Sequence, residues 1–304
     1  MSPLPLQPYT KPALSYDEQV AKLSGRGLMV ANPKAAADFL AHINYYRFSG
    51  YCLPFEVARH QFVPGTTFEQ VVALHDFDRV LRDLFSEALE VVEVDLRSAM
   101  AYFFGHGHGA FGHTTPTVFY YGFKHAEWIA KVREEAERSS ELFIEHHRHT
   151  YAEFPDLPIW IATEVMSFGA LSRMYQGMVR EDQIGLAKRY GLHSTVMQSW
   201  LHHLVYMRNL CAHHLRLWGK VSSIIPDLPR NVPAWGTTYV PRRDCLFCTL
   251  LILNTLMTRS AAVKPFAKEW RGRVIAHLAQ PPAGLNLMAG LGAPANWASH
   301  PLWK

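Results

Sequence analysis

Cysteine and long apolar runs are both scarce in this chain. Its 304 residues include only four cysteines, which are too few for the disulfide framework of a secreted domain. No stretch approaches the roughly 18 consecutive apolar residues of a membrane-spanning helix. The longest apolar run, residues 246–257, is interrupted by polar side chains and predicts a buried helix. The N-terminal residues also lack the basic start and apolar stretch of a signal peptide. We therefore expect a globular protein of the reducing cytoplasm.

Several chemical motifs are absent or incomplete. The chain has no glycine-rich phosphate-binding loop and no Gly-x-Ser-x-Gly turn, so nucleotide binding and that type of hydrolase are unsupported. Ser199, His203 and Asp244 are the residue types of a catalytic triad, but their spacing does not support one. Cys245 and Cys248 form a lone Cys-x-x-Cys pair. Because structural zinc usually takes four ligands, the pair favours two buried thiols.

A segment rich in histidine and glycine follows the longest predicted helix. His106, His108 and His113 could bind a metal, but no carboxylate accompanies them and their spacing fits no rigid pair of helical ligands. A flexible loop with a histidine bias is the favoured interpretation. We expect no metal and no cofactor.

Apolar residues recur at helical spacing along most of the chain, and strand signals are scarce. The best strand candidate, residues 237–240, is short. Helices are predicted from a cap at Ser15 to about Gly25, from Asn32-Pro33 through Ile43, and over residues 68–104, 126–148, 159–177, 181–190, 194–213, 244–260 and 265–278. The sequence therefore predicts an all-α fold. Its expected divisions are an N-terminal helical segment over residues 1–66, a helical domain over 67–278 and a coil-rich tail over 279–304.

The net charge of +4 is unevenly distributed. Residues 1–60 contain six basic and four acidic residues, residues 61–160 eight and sixteen, and residues 161–304 sixteen and six, which gives +2, −8 and +10. A basic second half suits a polyanionic partner. The alternative is that the acidic and basic parts attract each other in the fold, and charge alone does not choose between them.

One predicted helix end concentrates chemically useful side chains. Residues 200–218 combine an apolar helical face with His202, His203, Arg208, Asn209, His213, His214 and Arg216. Packing alone does not require so many cationic or titratable groups in one place. Four residues separate Arg208 from His213, and this spacing is weak evidence by itself because chance gives about one such pair in a chain of this composition.

These residue types suit cleavage of RNA without a metal. A neutral imidazole can accept the proton of a ribose 2′-hydroxyl, or an imidazolium can protonate the leaving 5′-oxygen. A guanidinium can bind two phosphate oxygens as their negative charge grows. DNA lacks the 2′-hydroxyl nucleophile, so the chemistry would select RNA.

The helical spacing poses a geometric problem for such a site. Five residues of a straight helix rotate by about 500°, which leaves Arg208 and His213 about 140° apart. They converge only if the helix ends or bends between them, or if a second copy completes the site. Because one histidine cannot easily serve as both acid and base in one step, a site made by two protomers is favoured. The alternative is that both residues are surface groups at a helix end.

Three segments together resemble one protein family. The first is INYYRFSGY at residues 43–51, followed by Pro54 and Phe55; the second joins residues 74–82 to EVVEVDLR at residues 90–97. The third joins residues 157–160, Glu164, residues 167–169 and residues 199–200 to RNLCAHHLRLW at residues 208–218. In this order, over about residues 10–220, they resemble the Abi-like (AbiD/AbiF type) bacterial abortive-infection proteins of the HEPN superfamily.

The resemblance implies a HEPN-type helical bundle with metal-independent endoribonuclease activity in a phage-defence, toxin–antitoxin-like system. The superfamily signature, an Arg, usually a polar residue, and a His after four to six positions, falls on Arg208, Asn209 and His213. His214 also meets the looser spacing. Arg208 would stabilise the charge on the phosphate, and His213 would transfer protons. Asn209 would orient the imidazole or the phosphate. The implied partners are RNA, including a regulatory noncoding RNA, and a second copy in a homodimer.

Further RNA contacts are expected from His214, Arg216, Tyr46 and Arg47. The aromatic segment around Tyr46 and Arg47 could stack on and clamp unpaired bases. The favoured alternative is that its aromatics pack the N-terminal helices while Arg47 pairs with the acidic long helix. Two other functions stay open for the whole chain. One is an RNA-binding protein that uses the HEPN scaffold to bind a structured RNA without cutting it, and the other is a regulatory module that binds no RNA.

Overall fold

Helices account for nearly all of the regular structure. The computed structural model describes residues 8–230 and 232–303, and it is 64% helical. Within these residues the single sheet is a two-stranded antiparallel hairpin, β1 (Glu56–Ala58) and β2 (Gln61–Phe62). The predicted all-α class is confirmed.

The described residues contain thirteen α-helices. The first four are α1 (Tyr16–Ser24), α2 (Pro33–Ile43), α3 (Tyr45–Cys52) and the long α4 (Phe68–His108). The next six are α5 (His125–Arg138), α6 (Leu142–Thr150), α7 (Ile159–Val165), α8 (Phe168–Gly177), α9 (Arg180–Arg189) and α10 (Ser194–Ala212). The last three are α11 (Leu246–Arg259), α12 (Lys264–Leu278) and α13 (Leu287–Leu291). None of these helices is both long enough and apolar enough to cross a membrane.

One compact unit comprises Met1–Arg79 and Pro282–Leu285. Its first helix begins with a reciprocal capping box, because the amide of Glu18 donates to Ser15 Oγ and the amide of Ser15 donates to Glu18 Oε2. Asn32 caps α2 more simply, because its side-chain oxygen accepts the amide of Ala35. These two helix starts are confirmed as predicted from local sequence.

Aromatic rings form the core of this first unit. Phe48 is fully buried and stacks on Phe68 with ring centroids 4.7 Å apart. Phe39 meets both rings edge-on. This packing fastens α2 and α3 to the start of α4.

The other compact unit comprises Val80–Pro281 and Asn286–Lys304. Helix α11 lies at its centre, with every residue from Leu246 to Met257 buried. A helix that is apolar all round belongs in a core, so the buried helix predicted over residues 246–257 is confirmed. Trp270 of α12 donates its indole N–H to Leu84 O of α4 at 2.8 Å, which ties these two helices together.

The long helix ends later than predicted. It continues to His108 and stops at Gly109, which has a φ of 77° and donates its amide to Gly105 O. At Gly105 a Cβ would come within 3.2 Å of Ile159, so glycine here permits the close approach of α7 rather than ending the helix. His106 and His108 are therefore helical, and the flexible loop expected at this point is wrong.

Other boundaries also differ from the expectation. The helix predicted over residues 126–148 is two helices separated at the extended residue Ser139. The helix predicted over residues 159–177 is broken at Met166, after which Ser167 Oγ caps α8. Residues 237–240 form a turn instead of a strand, since the amides of Tyr239 and Val240 both donate to Gly236 O. Helix α3 was not predicted, and the tail, expected to be coil, contains α13.

Candidate functional site

The C-terminal end of α10 carries the residues predicted to be catalytic. Trp200 and Leu210 lie on its buried face. The helix ends in a turn where His214 donates its amide to Cys211 O and Leu215 donates its amide to Leu210 O, each at 2.9 Å. These bonds form a Schellman motif around a left-handed residue. His214 occupies that position with a φ of 53°, although glycine is the residue that adopts it without steric cost.

Three predicted site residues are exposed around this helix end. Arg208 and Asn209 lie in the last turn of α10, and His213 is the C-cap residue. Because the helix stays regular through Ala212, His213 leaves it on a different side from Arg208. In residues 8–230 and 232–303, no hydrogen bond or ion pair joins the side chains of Arg208 and His213. Within the described residues, the guanidinium of Arg208 and the imidazole of His213 are therefore not bonded to each other.

A carboxylate on α4 lies beside Arg208. Glu93 Oε2 is 4.0 Å from Arg208 Nε, and the same carboxylate forms an ion pair with Arg97 one helical turn further along α4. Only 13% of each of the Glu93 and Arg97 side chains is exposed, against 46% of Arg208. Arg97 also donates to the backbone carbonyls of Thr163 and Glu164. This network holds Glu93 rigidly beside a guanidinium that remains open to solvent.

An open cavity of about 430 Å³ lies along this carboxylate. Glu90, Glu93 and Val94 line it from α4, and Arg208 and Cys211 line it from α10. Glu93 belongs to the EVVEVDLR segment of residues 90–97, and no role in the site was predicted for it. The available signal was its separation of four residues from Arg97, the spacing at which two side chains meet on a helix.

The four residues expected to contact RNA fall in two places. His214 is exposed and Arg216 is half-buried just after α10, whereas Tyr46 and Arg47 are exposed on α3 of the other compact unit. Tyr46 is 86% exposed. Its neighbour Tyr51 is buried instead and donates its hydroxyl to Asp78 at 2.8 Å.

The segment after the Schellman turn is supported by the C-terminal tail. Trp218 is buried, and its indole lies where a Cβ on Gly290 of α13 would be, so only glycine fits there. The amide of Gly219 donates to Gly290 O at 2.8 Å. Through these contacts α13 fixes the chain that leaves the site.

The sequence model of the Abi-like proteins matches residues 38–219, which is more than half of the chain and includes both sides of this site. The chain belongs to the Abi-like protein family. Membership of the family suggests a part in abortive infection, a form of phage defence. No curated protein and no solved structure gives a significant match.

In this Abi-like protein, Ser199 and His203 have partners other than each other. His203 is buried, with Nδ1 2.5 Å from Ile224 O and Nε2 2.8 Å from Thr249 Oγ1. Burial lowers the pKa of His203 to about 4, so the ring is neutral at neutral pH. Ser199 Oγ accepts instead from the amide of Asp227. His203 is a structural residue of the core.

The cysteine pair has structural surroundings in this Abi-like protein. Cys245 and Cys248 are buried free thiols, as predicted. Burial raises the pKa of Cys245 to about 11 and raises that of Cys248 further, so both stay protonated.

The histidines near the end of α4 also have local partners. His108 Nε2 lies 2.7 Å from Asp182 Oδ2, and His106 Nδ1 lies 2.8 Å from Tyr102 O. His113 is buried, which lowers its pKa to about 4. In the part of the chain that the structure describes, no group of three or more His, Cys, Asp or Glu side chains could hold a metal ion.

Proposed function

We propose that this Abi-like protein is a HEPN-type, metal-independent endoribonuclease acting in phage defence. The observation that supports it is that Arg208, Asn209 and His213 are all exposed at the C-terminal end of α10, next to its buried face. Packing does not require exposed cationic and titratable groups beside the largely buried ion pair of Glu93 and Arg97. The family match, which includes this helix end, agrees with a role in abortive infection.

In the proposed reaction, the ribose 2′-oxygen attacks the adjacent phosphorus and the bond from phosphorus to the 5′-oxygen breaks. One imidazole accepts the 2′-hydroxyl proton, and another donates a proton to the leaving 5′-oxygen. The products are a 2′,3′-cyclic phosphate and a 5′-hydroxyl. Arg208 binds the phosphate oxygens as their charge grows. Its Nε faces Glu93, which orients the guanidinium and leaves the terminal nitrogens to the substrate.

The reaction calls for two histidines, and we propose that a second copy of the chain supplies one of them. Each chain offers one His213, and its position around α10 keeps it away from Arg208 of the same chain. A two-fold dimer that joins the ends of two α10 helices would bring both copies of Arg208 and His213 to one phosphate.

The decisive experiment is RNA cleavage in EDTA by wild type, Arg208→Ala and His213→Ala. His202→Ala is the matched control, because His202 is exposed on the same helix outside the motif. We expect each motif variant to lose at least about 100-fold in rate, the control to keep wild-type activity, and the products to carry 2′,3′-cyclic phosphate ends. If wild type and all variants bind RNA equally and none cleaves it, the protein is a non-cleaving RNA-binding protein. If none of these proteins binds RNA, the result favours the alternative of a regulatory module that binds no RNA.

Mixing tests the composite site. When wild type and His213→Ala exchange subunits at equal concentration, activity should fall to about a quarter of that of wild type at the same total concentration, because only dimers with two intact copies react. A fall to about half would show that each chain acts alone.

A further inference from the structure

A second site in this molecule has the chemistry of an anion-binding cleft. A cavity of about 550 Å³ lies between the end of α11, the start of α12 and the C-terminal tail. Four basic residues line it: Arg259, Lys264, Lys268 and Arg271. It has no carboxylate in its lining. In the part of the chain that the structure describes, none of the four side chains has an ion-pair partner.

The fold of α12 adds to the positive potential in this cleft. The N-terminus of a helix carries a partial positive charge, and acidic residues usually offset it there. Helix α12 has no acidic residue in its first turn and begins with Lys264. Lys268 follows four residues later, the spacing at which two like charges on a helix repel each other. A bound anion would remove this unfavourable concentration of charge.

The cleft is a built cavity with a fixed wall. Asn254 of the buried helix α11 donates its side-chain amide to Leu302 O at 2.6 Å. Trp303 is buried next to it. These contacts hold Pro301 and Leu302 in place as the wall opposite α12.

The dimensions favour a chain of phosphates over one phosphate ion. Lys264, Lys268 and Arg271 follow one face of α12 over about 10 Å, and Arg259 faces them from α11. The volume is also many times the roughly 30 Å³ that one water molecule takes up in the liquid. We propose that this cleft binds the sugar–phosphate backbone of an RNA strand, separately from Arg208 and His213. The choice of RNA as the polyanion rests on the proposed function.

The test is binding of a 20-nucleotide 2′-O-methyl RNA, which lacks the nucleophile and cannot be cleaved. Lys264→Gln/Lys268→Gln is compared with Lys131→Gln/Lys188→Gln, a control that removes the same charge from exposed lysines without ion pairs. We expect the cleft variant to bind about tenfold more weakly than wild type near 100 mM salt. The slope of log K against log salt should shrink by about 1.4, since each lost phosphate contact removes about 0.7. The control should change binding less than about twofold, and both variants should unfold at the wild-type temperature.

Two results would overturn the proposal. One is equal RNA affinity and equal salt slope for the cleft variant and the control. The other is a cleft variant that loses binding of inorganic tripolyphosphate but keeps its RNA affinity, because the cleft would then serve a small free anion.

Cleavage assays separate this proposal from the proposed function. If the wild-type protein binds unmodified RNA through the cleft lysines but does not cleave it, the ribonuclease proposal is refuted and the cleft proposal is retained. If the wild-type protein cleaves RNA and the cleft variant binds RNA as tightly as the control variant, the cleft proposal is refuted and the ribonuclease proposal is retained.

Discussion

Mild acid should reduce the free energy of unfolding through His203. In the folded protein burial holds the pKa of this histidine at about 4, whereas a histidine in an unfolded chain titrates near 6.5. On acidification the unfolded chain therefore binds the proton first. The stability that neutral His203 contributes is fully present above about pH 6.5 and is lost as the pH falls from 6.5 towards 4.

The size of the effect follows from the two pKa values. Between pH 7 and pH 5, one histidine with these values lowers the free energy of unfolding by about 2 kcal/mol. His113 is buried in the same compact unit with a pKa also near 4, so it contributes a similar amount. Together the two histidines should lower the free energy of unfolding of this unit by about 4 kcal/mol between pH 7 and pH 5.

Urea unfolding at pH 7 and pH 5 measures this loss. His203→Gln is expected to be less stable than wild type at pH 7, because the bonds to Ile224 and Thr249 are disturbed. Its loss between pH 7 and pH 5 should nevertheless be about 2 kcal/mol smaller than that of wild type. The exposed neighbour, as His202→Gln, should keep the wild-type loss. A His203→Gln variant with the full wild-type loss would refute the reasoning.

Three further predictions concern other parts of the structure. Glu93→Gln removes the carboxylate between two guanidinium groups and should lower the free energy of unfolding by about 3 kcal/mol. Glu90→Gln, in the same cavity, should change the urea midpoint very little. Equal shifts of the two midpoints would contradict the role of the Glu93 network. His214→Gly relieves a left-handed φ and should stabilise the protein by about 0.5–1 kcal/mol, so a lower melting temperature would argue against backbone strain. In thermal unfolding, Phe48→Ala should lower the free energy of unfolding by about 3–5 kcal/mol, because the Phe48 ring is buried. Tyr46→Ala should lower it by less than about 0.5 kcal/mol, because the Tyr46 ring is exposed. Similar losses would show that Tyr46 packs against the protein in solution.

The helix starts were predictable because their signals are local. The Ser15–Glu18 capping box and the Asn32 cap lie within a few residues of the helices that they begin. The end of α4 was not predictable in this way. Gly105 has the usual signature of a helix end, but its contact with Ile159 depends on packing against a helix more than fifty residues later.

In the candidate site, too, the features with local sequence signals were predictable and those that depend on distant contacts were not. The composition and spacing of residues 208–213 indicated a chemically capable helix end, and the structure places Arg208, Asn209 and His213 in solvent. The pairing of Glu93 with Arg208 could not be deduced from α4 alone, because Arg208 lies more than one hundred residues away in sequence. Tyr46 and Tyr51 show the same limit, since two tyrosines of one short helix have opposite exposure.

The contact between Gly290 and Trp218 has a consequence for genetics. Random mutagenesis that selects for loss of function would be expected to find Arg208 and His213 first. The structure adds Gly290, because any side chain there would overlap the indole and displace the segment that follows the site. This position lies about seventy residues beyond the end of the family match, in a part of the chain where no functional residue was expected. An inactivating allele at Gly290 would thus act by displacing Trp218, with every residue of the motif unchanged.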